Sequence, residues 1–225
     1  MSDFEERLSR VRTELDQVAR GRRVRLLAVS KQQPVAAIRT AAQAGMLAFG
    51  ENYVQEARAK QHELADLELQ WHLIGPLQSN KCRDAAQHFD WVQSVDRDKL
   101  VPLLARQRPA QSPPLNLLIQ VNIDDEASKS GCSPDAVAAI ALAISLEPRL
   151  RLRGLMAIPA PTPVPEDRRG AFRRMRTLFE TLQREHHQVD TLSMGMSDDY
   201  AIAVAEGANL VRIGSALFGP RERSA

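Results

Sequence analysis

Eight short apolar segments recur along the chain, and each is followed by a stretch of helical composition. The segments span residues 26–29, 46–50, 71–75, 91–95, 116–123, 152–158, 191–195 and 209–214. Short apolar runs that alternate with helices are typical of parallel strands buried on both faces. Eight such repeats in 225 residues match the size of one α/β barrel. The sequence therefore predicts an α/β protein with a (β/α)8 TIM-barrel fold, formed as a single domain over residues 1–225.

An open, doubly wound sheet is the alternative that the same alternation allows. A dinucleotide-binding sheet of that kind carries Gly-x-Gly-x-x-Gly after its first strand. Here the first apolar segment is followed by Ser-Lys-Gln-Gln-Pro, and the strands are short and evenly spaced, so the barrel is favoured. Apolar residues at three-to-four spacing over residues 3–20 predict an extra helix ahead of the first strand.

Capping signals predict where several helices begin. Ser79 and Asp96 are predicted N-caps, the latter for a helix that runs to about Arg108. Ser-Pro-Asp at 133–135 combines an N-cap, a first-turn proline and a first-turn acid. The segment Ser-Asp-Asp at 197–199 is predicted to start another helix.

Charge and composition argue against several classes of partner. The formal net charge is +2, so no large field of one sign favours nucleic acid or an anionic membrane. Cys82 and Cys132 are too few for a disulfide scaffold and are expected to be reduced thiols. The N-terminus lacks the apolar core of a signal peptide, and the longest apolar run, 136–144, is too short to span a membrane. A cytoplasmic monomer without a metal site is expected.

A lysine stands where the first strand is predicted to end. The run Leu-Leu-Ala-Val-Ser is followed by Lys31, and Pro34 can open the next helix. Lysine is scarce, since only 5 of the 30 basic residues are lysines. Unlike arginine, a lysine can form an imine with an aldehyde. Lys31 is therefore a candidate nucleophile, although a salt bridge at the end of the barrel would explain it equally well.

A barrel brings all eight strand ends to one face, where active sites lie. The predicted strand ends carry Lys31, Glu51, Asn52, His72, Asn122, Met156, Ser197 and Arg212. Barrel enzymes often hold phosphate in the loops after strands seven and eight, and Ser197, Gly214 and Ser215 suit such a site. Helix capping and chain turning are the competing explanations of these three residues. A lysine, a phosphate site and an arginine together indicate a phosphorylated aldehyde, of which pyridoxal 5′-phosphate (PLP) is the commonest cofactor.

The chain also resembles a known family over nearly its whole length. The motifs are AVSKQQP (28–34), FGENYVQE (49–56), WHLIGPLQSNK (71–81), QVNIDDEASKSG (120–131), GLMAI (154–158), SMGMSDD (193–199) and VRIGSALFGPR (211–221). In these motifs the chain resembles the pyridoxal phosphate homeostasis proteins, whose fold is like the barrel domain of alanine racemase. It departs from the family's usual residues at Gln32, Gln33 and Cys132, none of which touches the predicted pocket chemistry.

The resemblance implies roles for individual residues. Lys31 is similar to the Schiff-base lysine of the family, and Arg212 to the residue that faces the pyridine nitrogen. Ser197, Gly214 and Ser215 are similar to phosphate contacts. Two further cofactor-binding residues are predicted, Asn52 near the ring by resemblance and Met156 from its place at a strand end. His72 is expected to be a hydrogen-bonded wall residue rather than a general base.

Three functions compete, and the resemblance ranks them. The first is a PLP carrier or buffer with little or no catalysis, which takes part in PLP homeostasis and supplies PLP-dependent apoenzymes as recipients. The second is a PLP-dependent amino acid racemase-like enzyme, although racemases add a C-terminal β domain and this sequence stops at Ala225 after the eighth strand. The third is a class I aldolase, in which Lys31 forms its imine with a phosphorylated sugar.

Overall fold

Eight parallel strands form a closed barrel in the order of the chain. The computed structural model describes residues 2–126, 130–160, 162 and 164–219. The motifs predicted at 120–131 and 211–221 include positions 127–129 and 220–221, which lie outside the described residues. The strands are β1 Arg25–Val29, β2 Ala48–Glu51, β3 Gln70–Leu73, β4 Trp91–Val95, β5 Leu115–Val121, β6 Leu150–Ala157, β7 Thr191–Ser193 and β8 Leu210–Ile213.

Helices follow the strands and cover the barrel, as the alternation predicts. The α-helices are α1 Asp3–Ala19, α2 Val35–Gln43, α3 Val54–Glu63, α4 Cys82–His88, α5 Leu100–Gln107, α6 Val137–Ser145, α7 Pro165–Glu185, α8 Tyr200–Ala205 and α9 Ser215–Phe218. Short 3-10 turns at Ser79–Lys81 and Pro134–Ala136 precede α4 and α6. The predicted TIM barrel with an extra N-terminal helix is thus confirmed. Within the described residues, no helix is both long and apolar enough to cross a membrane.

Pairing of β1 with both β2 and β8 closes the barrel. Ala28 is in register with Phe49 on one side, and Leu27 with Arg212 on the other. Apolar side chains of the strands and helices pack into one large core, which includes Ile38 of α2. Because all strands run in one direction, their carboxyl ends meet on one face, where most of the predicted site residues lie.

Helix α1 joins the beginning of the chain to its last elements. A capping box of Ser2 and Glu5 starts the helix, and its apolar stripe is buried. The Phe4 ring lies 5.3 Å from the Phe218 ring of α9. Arg7 Nε donates to the Leu217 carbonyl at 2.8 Å. Helix α1 is therefore fixed on the segment that follows β8.

Two of the predicted N-caps are wrong. Ser79 is the first residue of its 3-10 turn, and Gln78 occupies the cap position. The carboxylate of Asp96 pairs with Arg97, and α5 begins only at Leu100. The cap position of α5 is occupied by Lys99, three residues after Asp96.

The other two helix starts are partly correct. Ser133 occupies the predicted cap position, although no backbone N–H donates to its side chain. Helix α8 starts later than predicted, because Asp199 is its cap residue. The Asp199 carboxylate accepts the Met196 N–H at 2.7 Å and thereby shapes the preceding loop.

Candidate functional site

A cavity of about 440 Å³ opens at the carboxyl ends of the strands. This volume is in the range of small-molecule sites, roughly 300–1,000 Å³. Its walls come from the ends of β1, β2, β3, β5, β6, β7 and β8 and from the loops that follow them. The lining residues are Val29, Lys31, Asn52, Ile74, Gly75, Pro76, Gln120, Ser130, Ile158, Met196, Ser197, Asp198, Arg212, Gly214 and Ser215.

Six of the seven predicted cofactor-binding residues lie on this cavity. They are Lys31, Asn52, Ser197, Arg212, Gly214 and Ser215. They come from four different strand ends, and 181 positions separate Lys31 from Arg212 in the sequence. The fold thus brings together the lysine, the arginine and the small-residue loops that sequence reasoning assigned to a single site.

Met156 does not line the cavity. Its side chain is fully buried and packs in a cluster with Trp91 and Leu118. Ile158, two residues further on, lines the cavity instead. Alternate residues of a strand face the same side and are about 6–7 Å apart, so Met156 lies one layer deeper in the barrel. The geometry gives no support to the prediction that Met156 contacts a cofactor.

The residues on either side of Lys31 are held by a buried ionic group. Lys60 Nζ donates at 2.7 Å to the Ser30 carbonyl, to Glu51 Oε1 and to Glu56 Oε1. The Ser30 hydroxyl donates to Glu51 Oε1 at 2.6 Å. The Gln32 N–H donates to Glu56 Oε1 at 2.5 Å. We call Ser30, Gln32, Glu51, Glu56 and Lys60 the Lys60 cluster, and it fixes the backbone both before and after Lys31.

Glu51 is the most deeply buried acid of this cluster. Its side chain is fully buried, and Oε2 has no hydrogen-bond partner. Burial raises the pKa of Glu51 above its ordinary value, and the hydrogen bonds from Lys60 and Ser30 partly offset that rise. The carboxylate therefore depends on Lys60 for its counter-charge. Its predicted place at a strand end is correct, but it supports the Lys31 loop and does not line the cavity.

Arg212 is a buried cation on the cavity wall. Its Nη1 donates to Ser193 Oγ at 2.7 Å, and its Nη2 donates to the Ala157 carbonyl at 2.8 Å. Both acceptors are neutral, and within the described residues no carboxylate forms an ion pair with Arg212. Burial lowers the pKa of Arg212 to about 10, with the charge of Asp199 acting in the opposite direction. The guanidinium therefore stays charged at neutral pH.

A series of polar side chains continues from Arg212 into the barrel. The Ser193 hydroxyl donates to Gln93 Oε1 at 2.7 Å. Gln93 Nε2 lies 2.9 Å from His72 Nδ1, and His72 Nε2 lies 2.9 Å from Gln70 Oε1. We call Arg212, Ser193, Gln93, His72 and Gln70 the interior network. Burial lowers the pKa of His72 to about 3, so the imidazole is neutral.

His72 fulfils the predicted hydrogen-bonding role, but in a different place. Its ring stacks on Trp91 at 5.2 Å, inside the barrel, and it is absent from the cavity wall. A neutral ring whose two nitrogens already have partners is a structural group in this position. Its geometry therefore gives no support to a general-base role.

The loops after β7 and β8 meet at the cavity. Ser197 Oγ accepts the Ala216 N–H at 3.4 Å, which joins the two loops. Gly195 has φ +95, and an added Cβ would lie 2.6 Å from the Ala203 Cβ. Only glycine fits this position without strain. Ser197 is not the cap of α8, and its hydroxyl instead accepts from the second residue of α9.

Sequence reasoning missed several residues of the site and its support. Gln120 lines the cavity and donates to the Ser130 carbonyl at 3.0 Å. Gln93 and Gln120 each interrupt an apolar strand, and a polar residue in a buried strand is a usable signal because it needs a partner. Lys60 gives no such signal, since a lysine on a charged helix is ordinarily solvated. Asn122, predicted at a strand end, ties its own loop through Glu126.

The barrel and its cavity define a class of protein. Residues 5–222 match the family described as the alanine racemase, N-terminal domain. The match covers nearly the whole chain and agrees with a parallel barrel whose cavity lies at the carboxyl ends of the strands.

More specific relatives place the chain within this class. It is 54% identical to the pyridoxal phosphate homeostasis protein of Pseudomonas aeruginosa, over 100% of this chain and 99% of that protein. It is 48% identical to the protein of the same name from Escherichia coli, with the same coverage. The chain belongs to the pyridoxal phosphate homeostasis protein family, as the motifs predict.

A solved structure of similar sequence supports the same assignment. PipY of Synechococcus elongatus, solved with PLP bound, is 42% identical and superposes with a TM-score of 0.85. The similarity covers 96% of this chain and 100% of that one.

Proposed function

We propose that this protein binds PLP through Lys31 and acts as an intracellular carrier or buffer of PLP, with little or no catalysis. The observation that carries the proposal is the meeting of Lys31, Arg212 and the loops of Ser197 and Gly214 on one cavity of about 440 Å³. The family to which the chain belongs, and the PLP bound to PipY, support the choice of ligand.

The residues present fit a phosphorylated aldehyde. Lys31 would supply the amine that condenses with the aldehyde. Ser197, Gly214 and Ser215 would hold the phosphate with a hydroxyl and backbone N–H groups, because the small residues permit close approach. Asn52 would contact the ring, and an added Cβ at Gly75 would lie 2.2 Å from the Asn52 carbonyl, so Gly75 is needed for this packing.

Arg212 would face the ring nitrogen. Its two fixed acceptors are neutral, so no ion pair within the described residues neutralises its positive charge at the cavity wall. A guanidinium can donate a hydrogen bond to an unprotonated ring nitrogen but does not favour protonation of that atom. PLP supplies a reactive aldehyde and an electron-withdrawing ring, and the ring withdraws electrons best when its nitrogen is protonated. Arg212 therefore weakens the ring as an electron acceptor, but it does not by itself separate a carrier from an enzyme, because alanine racemases resemble this chain at that position.

The tyrosines give no support to a racemase-like activity. Tyr200 donates its hydroxyl hydrogen to Glu14 Oε2 of α1 at 2.5 Å. Tyr53 is exposed. Within the described residues, neither tyrosine lies on the cavity wall. A carrier role also implies recipients, and we propose PLP-dependent apoenzymes in the cytoplasm.

Borohydride reduction and peptide mapping test the assignment of Lys31. The purified protein is incubated with PLP, reduced and digested, and the pyridoxyl label is expected on Lys31. The PLP imine is yellow, and Lys31→Ala and Lys31→Arg should both lose this colour and the label, since arginine keeps the charge but cannot condense. Lys99→Arg, at an exposed lysine, is the control and should keep both. A label on another lysine would overturn the assignment.

Proton exchange tests the carrier role against the racemase-like alternative. The protein loaded with PLP is incubated with L-alanine and other L-amino acids in deuterated water. We expect little or no exchange of the α-proton. Exchange at ordinary enzyme rates, on the order of 1 per second or faster, would contradict the proposal.

A further inference from the structure

Only one arrangement of protons gives every buried donor of the interior network an acceptor. A guanidinium can only donate, so Ser193 Oγ must accept from Arg212. The Ser193 hydrogen is then directed at Gln93, which must present its oxygen to Ser193 and its amide hydrogens to His72. His72 Nδ1 must therefore accept, and its proton must lie on Nε2, which donates to Gln70.

The charge of Arg212 thus determines the orientation of every later member. Each hydrogen bond of the network is 2.7–2.9 Å long. Ser193 and Gln93 are fully buried, and His72 nearly so, which leaves little access for water that could replace a missing partner. With the opposite orientation of Gln93, Ser193 Oγ would accept from both Arg212 and Gln93, and the buried Ser193 hydrogen would be left without an acceptor, which is costly. That orientation would also require the His72 proton on Nδ1.

We infer that Ser193, Gln93 and His72 are positioning residues that hold the Arg212 guanidinium on the cavity wall through a single, directed series of hydrogen bonds. Arginine has many rotamers, and a guanidinium that must contact a ring nitrogen has to be held in one of them. The Ala157 carbonyl fixes Nη2, and Ser193 fixes Nη1. The role of Arg212 toward PLP rests on the proposed function, whereas the proton arrangement does not.

The first test uses the ligand-free protein. Nitrogen-15 NMR, after assignment of the five histidines, reports which nitrogen of His72 carries the proton. We expect the neutral form with the proton on Nε2. Gln93→Glu removes the amide donor while keeping an acceptor for Ser193, so it should move a proton to Nδ1. A proton on Nδ1 of the unaltered protein would overturn the inference, whatever the binding data show.

The second test measures binding of PLP and of an analogue in which C–H replaces the ring nitrogen. Ser193→Ala should weaken PLP binding roughly tenfold, because Arg212 loses one of its two fixed acceptors. The analogue should show no comparable loss. Ser94→Ala is the matched control, since Ser94 is also buried but its hydroxyl has no hydrogen-bond partner.

The two tests separate failure of the inference from failure of the proposed function. Equal losses for both ligands would mean that Ser193 supports the fold but does not orient the Arg212 guanidinium toward the ring nitrogen. This result would overturn the positioning role. If the unaltered protein binds neither ligand, the proposed function fails, and the positioning role toward PLP fails with it. The His72 spectrum still decides the proton arrangement in that case.

Discussion

Replacing Lys60 by methionine should destabilise the protein strongly and in a pH-dependent way. The change removes the three donors that Lys60 supplies to Ser30, Glu51 and Glu56. Glu51 keeps only the Ser30 hydroxyl as a donor and remains fully buried. Removal of one partner from a buried ion pair costs about 3–5 kcal/mol, whereas the partly exposed Glu56 adds only about 0–1 kcal/mol.

The expected loss can be measured by thermal and urea unfolding. For a chain of this size, 1 kcal/mol corresponds to about 2–4 °C, so Tm should fall by roughly 6–20 °C at neutral pH. Lys99→Met is the control, because Lys99 is exposed, and it should change Tm little. If Lys60→Met is no more destabilising than Lys99→Met, the Lys60 cluster does not stabilise the Lys31 loop.

The pH dependence follows from the pKa of Glu51. Its pKa in the folded protein is raised above the ordinary value of 4.5, and loss of Lys60 should raise it further. A raised carboxyl pKa disfavours folding at a pH above the folded-state pKa. This penalty disappears as the pH falls below the ordinary pKa that the group has in the unfolded chain. The deficit of Lys60→Met should therefore shrink on acidification. Glu51→Gln in the Lys60→Met background should recover part of the lost stability, and a deficit that grows with acidity would refute this account.

Three further predictions concern the loops and the thiols. Ser197→Ala should weaken PLP binding by about 1.5–3 kcal/mol but hardly change the binding of unphosphorylated pyridoxal, and equal loss in a titration of both would exclude a phosphate contact. Gly195→Ala should cost about 1–3 kcal/mol in urea unfolding because of its positive φ and the short contact with Ala203; an unchanged midpoint would contradict this strain. Burial raises the pKa of Cys132 to about 11 from 9.0, so alkylation at pH 8 should be roughly 100-fold slower in the folded protein than in urea, and equal rates would show an accessible thiol.

The strands were predictable because their apolar character is local. The limits of β4 agree with the predicted residues 91–95, and those of β8 lie within one residue of the predicted 209–214. Helix starts were harder to predict. Asp96 could have capped a helix or paired with Arg97, and only the folded chain shows that it pairs with Arg97. Lys31 and Arg212 could be named from strand ends and motifs. Gln93 could be recognised as a polar residue in need of a partner, but that partner, Ser193, lies 100 positions away, and Lys60 meets Ser30 only after α3 has packed.

The contact between α1 and α9 has a consequence for the order in which the chain can fold during synthesis. Helix α1 is synthesised before Leu217, the partner of Arg7, which follows 210 residues later. Until then the apolar stripe of α1 lacks part of its cover, and β1 lacks its neighbour β8. Contacts of such long sequence separation form slowly and leave apolar surface open to aggregation. Closure of this barrel should therefore come late in folding, and until then the uncovered apolar face of α1 is a place where aggregation can begin.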